Sequence, residues 1–426
     1  MRMRLFLSLL VTVASLLCCA HPAAAQQPTK RQPRVTVPKS SQELPADIGQ
    51  RFHTHILILG SGAARPAGQA SPQTGGPPFP GYFYETPASL ACIYNLVRAQ
   101  DFACNPNIVT SNPYGGGKSI AIVDAYDDPN AVSDLANFNA QFGVAPANFH
   151  VVYAYGTAPP LDPTGGWELE ESLDIEYAHA MAPNAKLFLV EAASNSYNDL
   201  LNAELVAAGL VAEAGGGEVS NSWGGSEFSQ ETTLDFVFVQ KGVVFFASTG
   251  DSPGTEWPST SPNVVAAGGT STNRDPNSGR FLYEGSWTDG GGGPSEFEPR
   301  PSYQNSIAYL AGPARVVPDI ASDANPITGV WILDTNLYEG QPGGWFIVGG
   351  TSVASPTTAG IVNAAGRFHK SSAEELFTIY SNSFAGFSPG FNDIRADNCG
   401  PYGGYLAVNG YDFCTGVGSP QGYSDK

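Results

Sequence analysis

From residue 119 onward, apolar runs and helically spaced segments alternate along the chain. The apolar, β-branched runs are "SIAIVDAY" (119–126), "HVVYAY" (150–155), "KLFLVEAA" (186–193), "EVSNSWG" (218–224), "GVVFFAST" (242–249) and "NVVAAGG" (263–269). Between them lie "SDLANFNAQFG", "ESLDIEYAHAM", "YNDLLNAELVAAGLVAEAG" and "TTLDFVFVQKG", which read as helices. Strands that are apolar on both faces and alternate with helices predict an α/β fold whose mainly parallel sheet is covered on both sides. Working groups in such sheets stand outside the carboxyl ends of the strands. Globular patterning begins near "YETPASLACIYNLV" (84–97). Residues 26–83 are rich in Gln, Pro, Gly and Ser and read as a linker or short pro-segment without a packed core.

The first 25 residues read differently. "MRMR", the apolar "LFLSLLVTVASLLCCA" and the A-x-A in "HPAAAQQ" have the order of a secretory signal peptide cleaved after Ala25. An exported protein is therefore expected, with Cys18 and Cys19 lost in the leader. Of the remaining cysteines, Cys92 and Cys104 form one local pair, and Cys399 and Cys414 another. An even count in an exported chain favours disulfides, and the short separations favour these two loops among three connectivities. Acidic residues outnumber basic ones 39 to 20, giving a net charge of −19. This argues against nucleic acid or an anionic membrane as partner, and suits a protein living at low pH.

The candidate chemistry lies at the strand ends. Asp124 closes "AIVDAY", Asp251 lies in "STGDSPG", and Ser352 follows two glycines in "VGGTSVASPTTAG", ahead of a small-residue helix. Asp124 and Ser352 would suit a histidine-dependent serine protease, but none of the histidines follows a glycine-rich loop. His53 and His55, in "FHTH", come before the globular region. Another base is available on the helix at 168–182. Glu170 and Asp174 are i and i+4, about 40° apart around the axis, so both carboxylates point the same way. Paired like charges share a proton and raise one pKa, which suits acid–base work. Glu171 and Glu176 lie off that line and read as a solvated face, and His179 as a packing histidine.

These stretches carry a family resemblance. "ELEESLDIEYAHAMAPNAKL", "SNSWGG", "ASTGDSPG…WPSTSPNVVAAGGT", "GGGGPSEFEPRPSYQ", "VPDIASDANPITG", "GGTSVASPTTAG" and "FNDIRADNCG…VNGYDFCTGVGSP" occur in order. From about Tyr84 to the C-terminus the chain resembles the sedolisin, or serine-carboxyl peptidase, family. The resemblance implies a subtilisin-like three-layer fold and a peptidase acting on proteins or peptides in acid. It gives Ser352 as nucleophile, Glu170 as its base, Asp174 behind Glu170, and Asp251 as a protonated oxyanion partner, with Asp124 structural. Ser222, Trp223 and Gly224 would pair with and enclose substrate. One Ca2+ would sit among the carboxylates of Asp393 and Asp412 and the carbonyls of Ile394, Val408 and Gly410. A monomer is expected. The family's large folded propeptide has no counterpart in the short segment before Tyr84. A catalytically silent peptide-binding relative and a histidine-dependent subtilisin-type protease remain as the other readings of the sequence.

Overall fold

The computed structural model describes residues 34–60, 84–97, 105–107, 111–382 and 389–426. Six of its strands coincide with the six apolar runs. With Phe281–Ser286 they belong to one sheet, in the spatial order Phe281–Ser286, Val264–Arg274, Val243–Ser248, Gly217–Asn221, Ser119–Ala125, Lys186–Ala192, Asn148–Tyr153. Neighbours from Val264–Arg274 to Asn148–Tyr153 are parallel, and Phe281–Ser286 is antiparallel at the edge. Ile320–Asp323 adds a further parallel strand beside Val264–Arg274.

Side chains of one strand alternate between two hydrophobic layers, as a strand's period of two requires. Ala121, Val123 and Ala125 pack with Leu200, Ala203 and Val211 of the Tyr197–Glu213 helix. Ile120 and Ile122 pack with Leu135 of the Ala131–Phe142 helix and Ile175 of the Gly166–Met181 helix. The Thr351–Ala365 helix lies against Gly166–Met181 closely enough that a Cβ on Gly360 would meet Met181 Cβ at 2.7 Å. Helices on both faces of a parallel sheet give the expected three layers. The segment "TTLDFVFVQKG" departs from the expected helix. It makes two short 3-10 turns, Glu231–Thr233 and Asp235–Phe238, which leave Phe236 and Val239 exposed.

The larger correction concerns residues 34–60, which are built into the fold rather than forming a linker. Val35–Thr36 pairs with Leu57–Leu59, which pairs with Gln341–Gly349. Phe52, Ile56 and Ile58 are buried. Their apolar side chains gain burial among partners distant in sequence, which local composition does not reveal. Residues 1–33 and 61–83, with the expected leader and its cleavage site, lie outside the described residues.

Candidate active site

Asp162 sets the start of the carboxylate helix, Gly166–Met181. Its Oδ2 accepts the N–H groups of Gly166 and Trp167 at 2.9 and 3.2 Å, satisfying donors that have no partner within the helix. Every residue of this helix is buried, so its acids have no solvent face to occupy. Glu170 and Asp174 point to one place, beside Asp124 at its strand end. Ser222 Oγ donates to Asp174 Oδ1 at 2.8 Å. Among the described residues, Asp174 Oδ2 and both oxygens of Glu170 and Asp124 close no hydrogen bond by distance and angle. Burial pushes all three carboxyls well above the usual range. On Glu170 the charges of Asp174 and Asp124 add to that rise, while the nearby Ser352 hydroxyl opposes it. Three buried carboxyls so close cannot all ionise; they share protons.

The nucleophile candidate opens the serine helix, Thr351–Ala365, directly after Gly350 at φ 103°. Its hydroxyl donates to the Ser222 carbonyl at 3.3 Å, and its N–H donates to the His55 carbonyl at 3.0 Å. Asp251 approaches from the other side. Its Oδ1 accepts the Thr351 N–H at 2.7 Å and the Thr351 hydroxyl at 3.0 Å, while Oδ2 is buried without a partner. A Cβ on Gly350 would lie 2.0 Å from the His55 carbonyl oxygen and 2.5 Å from Asp251 Oδ2. The His55 carbonyl oxygen thus accepts the Ser352 N–H, and it and Asp251 Oδ2 both border the space a Cβ on Gly350 would fill, so only glycine fits there. Burial raises Asp251 to about 7, against opposition from the neighbouring His55 and the two Thr351 bonds.

The chain itself supplies that carbonyl. His53 and Thr54 pair antiparallel with Gly224 and Trp223, and the His55 N–H donates to the Ser222 carbonyl at 3.2 Å. The remaining cleft, about 610 Å³, is lined by Glu43, Glu227, Asp251, Glu256 and Glu296, with no Lys or Arg among the described residues of its wall. Sequence reading had set the "FHTH" histidines apart from the globular region. The structure brings His55 against Ser352, and the clue available was the apolar run "ILIL" directly after it, which leads into the strand Leu57–Leu59.

The chain is similar to known proteins over most of its length. No family model matches the chain. Kumamolisin of Bacillus sp. (strain MN-32) is 33% identical over 347 residues, covering 72% of this chain and 59% of that protein. Sedolisin of Pseudomonas sp. (strain 101) is 25% identical over 348 residues, covering 73% and 57%. A solved structure of Pseudomonas sedolisin, a serine-carboxyl proteinase complexed with two molecules of pseudo-iodotyrostatin, superposes with a TM-score of 0.63 at 24% identity. That alignment covers 79% of this chain and 95% of that one. The chain belongs to the sedolisin family. Its fold is that of subtilisin-like α/β proteins, and it spans a little under three fifths of the length of these two curated relatives.

The remaining residues expected from the sedolisin resemblance fall into place unevenly. Ser222 and Gly224 border the cleft strand. The Trp223 ring instead turns inward, bonded through Nε1 to the Val123 carbonyl at 2.7 Å and packed 4.6 Å from Phe52. Glu171 and Glu176 are buried, not solvated: Glu176 accepts the Leu333 N–H at 3.2 Å, and both Glu171 oxygens lack partners. The helix has no polar stripe, so angular offset from Glu170 did not predict exposure. His179 bonds the Ala145 carbonyl at 2.7 Å, as a packing histidine does. Cys399 and Cys414 form a disulfide. Cys92 is also disulfide-bonded, and its expected partner Cys104 lies outside the described residues.

Two contacts link the segments named in the calcium expectation. Asp393 Oδ1 accepts the Gly410 N–H at 3.1 Å and Asp412 Oδ2 accepts the Val408 N–H at 3.0 Å, with Ile394 buried next to Asp393. Asp393 Oδ2 also pairs with Arg395 Nε at 2.6 Å, and among the described residues no three or more His, Cys, Asp or Glu side chains gather as a metal site. Among the described residues no helix is long and apolar enough to cross a membrane.

Proposed function

We propose that the chain is an exported serine-carboxyl endopeptidase that cleaves proteins or peptides through an acyl-enzyme on Ser352, best in acid. The observation supporting this reading is a carbonyl oxygen held by the Ser352 N–H, with the unpartnered Asp251 Oδ2 bordering the same space at Gly350. Donors aimed at the site of developing negative charge are usually the largest single contribution to catalysis. Glu170, ionised while Asp174 and Asp124 hold protons, takes the Ser352 proton as Oγ attacks the carbonyl carbon. It returns that proton to the amine nitrogen as the peptide bond breaks. Water then hydrolyses the ester by the same steps in reverse. Asp251 must be protonated to donate, so its value near 7 sets the upper pH limit. Calcium, held by Asp393 and Asp412 with the carbonyls of Ile394, Val408 and Gly410, would brace the loop that carries them. Hydrolysis of a denatured protein between pH 3 and 9 by the native chain and Ser352→Ala tests the reading. Activity highest above pH 8, or retained by Ser352→Ala, would overturn it.

A further inference from the structure

One stretch of the cleft wall differs from its carboxylates. Pro401 and Tyr405 line the cleft there, near Gly293, Pro294 and Thr255. Both stand on a hairpin in which Asn398–Cys399 pairs with Tyr405–Leu406, so Cys399 and Tyr405 are cross-strand partners. The Cys399–Cys414 disulfide ties that hairpin to the returning chain. The Tyr405 ring, half-buried, meets the Phe413 ring edge-on at 4.9 Å. A Cβ on Gly400 would collide with it, and one on Gly293 would lie 3.4 Å from its Cε2 and its hydroxyl oxygen. The same Gly293 position is 3.8 Å from Thr255 Cγ2, while the Thr255 hydroxyl donates to Glu227 Oε1. Glu227 is engaged on both oxygens, since Ser295 donates to Oε2 and the Glu296 N–H to Oε1 at 3.3 Å. The His55 ring sits elsewhere, between Ser248 Oγ at 2.6 Å and Glu256 Oε2 at 2.8 Å.

We infer that Tyr405, with Pro401, Pro294 and the Thr255 methyl, forms a subsite that selects an aromatic side chain of the substrate. Its occupant is not the residue whose carbonyl Ser352 attacks, because the side chain beside that carbonyl reaches Ser248 and Glu256 instead. The inference deepens the peptidase reading and rests on it. A ring already seated by Gly400, Gly293 and Phe413 loses little freedom when a ligand arrives, so more of the contact energy appears as binding. An aromatic side chain gains apolar burial on this wall and a ring–ring contact with Tyr405. Serine gains neither. A cationic side chain finds Glu227 already bonded to its own hydroxyl and amide donors, and would lose water for little return. Backbone pairing along Gly224 is indifferent to side chains, so discrimination falls to wall residues such as these.

The test uses the full chain and its Tyr405→Ala, Tyr405→Phe and Pro401→Ala variants on a set of octapeptides. In the set, phenylalanine or arginine replaces serine at one position at a time, and mass spectrometry identifies the bond cut. At one position other than the residue before the cut, phenylalanine should raise kcat/KM at least tenfold over serine, mainly through KM. That ratio corresponds to about 1.4 kcal/mol. Tyr405→Ala should bring it towards one, and Tyr405→Phe, which keeps the ring, should preserve it. Pro401→Ala, at an exposed position, should lower it severalfold and serves if Tyr405→Ala does not fold. The inference is overturned by the lack of such a position, by a ratio that neither Tyr405→Ala nor Pro401→Ala moves, or by arginine exceeding phenylalanine there. Each of these leaves the peptidase reading standing. No cleavage of any peptide or of a denatured protein overturns both.

Discussion

Replacing Asp251 by asparagine separates the carboxyl's proton from its position. In the structure Oδ1 is committed to the Thr351 N–H and hydroxyl, while Oδ2 is buried without a partner. Asparagine keeps the acceptor on the Thr351 side and puts a permanent N–H donor on the other. The native carboxyl, raised by burial to about 7, donates only when protonated. Roughly half the molecules are competent at pH 7 and about a tenth at pH 8. The native kcat/KM should therefore fall about tenfold per pH unit above that value. Asp251→Asn should keep measurable activity at pH 5 and lose this alkaline limb, whereas Asp251→Ala should lose about 10²–10³-fold at pH 5. The assay is a kcat/KM–pH profile on one fluorogenic peptide for the three proteins. If Asp251→Asn is as inactive as Asp251→Ala, or keeps the limb near pH 7, Asp251 is not the donor.

Other consequences can be measured without the peptide. Asp334 is pushed up to about 7 and Glu204 to about 8, burial being the main cause in both. The folded chain thus holds protons that the unfolded chain has released above its ordinary carboxyl values. The stability these groups give is full below about pH 4 and drains as pH rises towards 8, by about 1.4 kcal/mol per unit and group. The melting temperature should accordingly be lower at pH 8 than at pH 4.5 by calorimetry; the opposite trend would contradict it. Arg315 and Asp319 form a fully buried pair, with Nη2–Oδ2 at 2.6 Å and Tyr380 adding a bond to Oδ1 at 2.7 Å. Asp319→Ala should cost about 3–5 kcal/mol in urea unfolding by stranding the guanidinium. Chelation should lower the melting temperature of the native chain but not of Asp412→Asn, if the 408–412 loop holds calcium.

The sequence was most legible where chemistry and local geometry coincide. Glu170 and Asp174 share a helix face by spacing alone, and Ser352 and Asp251 follow apolar strands whose ends locate working groups in this architecture. Legibility failed where the deciding contact spans most of the chain. Nothing near His55 announces that it reaches Ser248, Glu256 and the Ser352 N–H, because a two-residue strand has too few positions to display a period. Glu171 and Glu176 misled for a related reason. A helix buried on all sides carries no polar face, so charged residues there no longer mark the solvent.

The strand Leu57–Leu59 gives the cleft occupant a property that no free peptide shares. It continues directly from His55 and Ile56 into the sheet with Gln341–Gly349, so the occupant is tethered within bonding reach of Ser352. Dilution lowers the local concentration of a separate inhibitor but leaves that of a tethered one unchanged. Release therefore has to come from a change within the molecule, such as loosening of residues 52–56 or a cut made by its own Ser352, and its rate would not change with dilution.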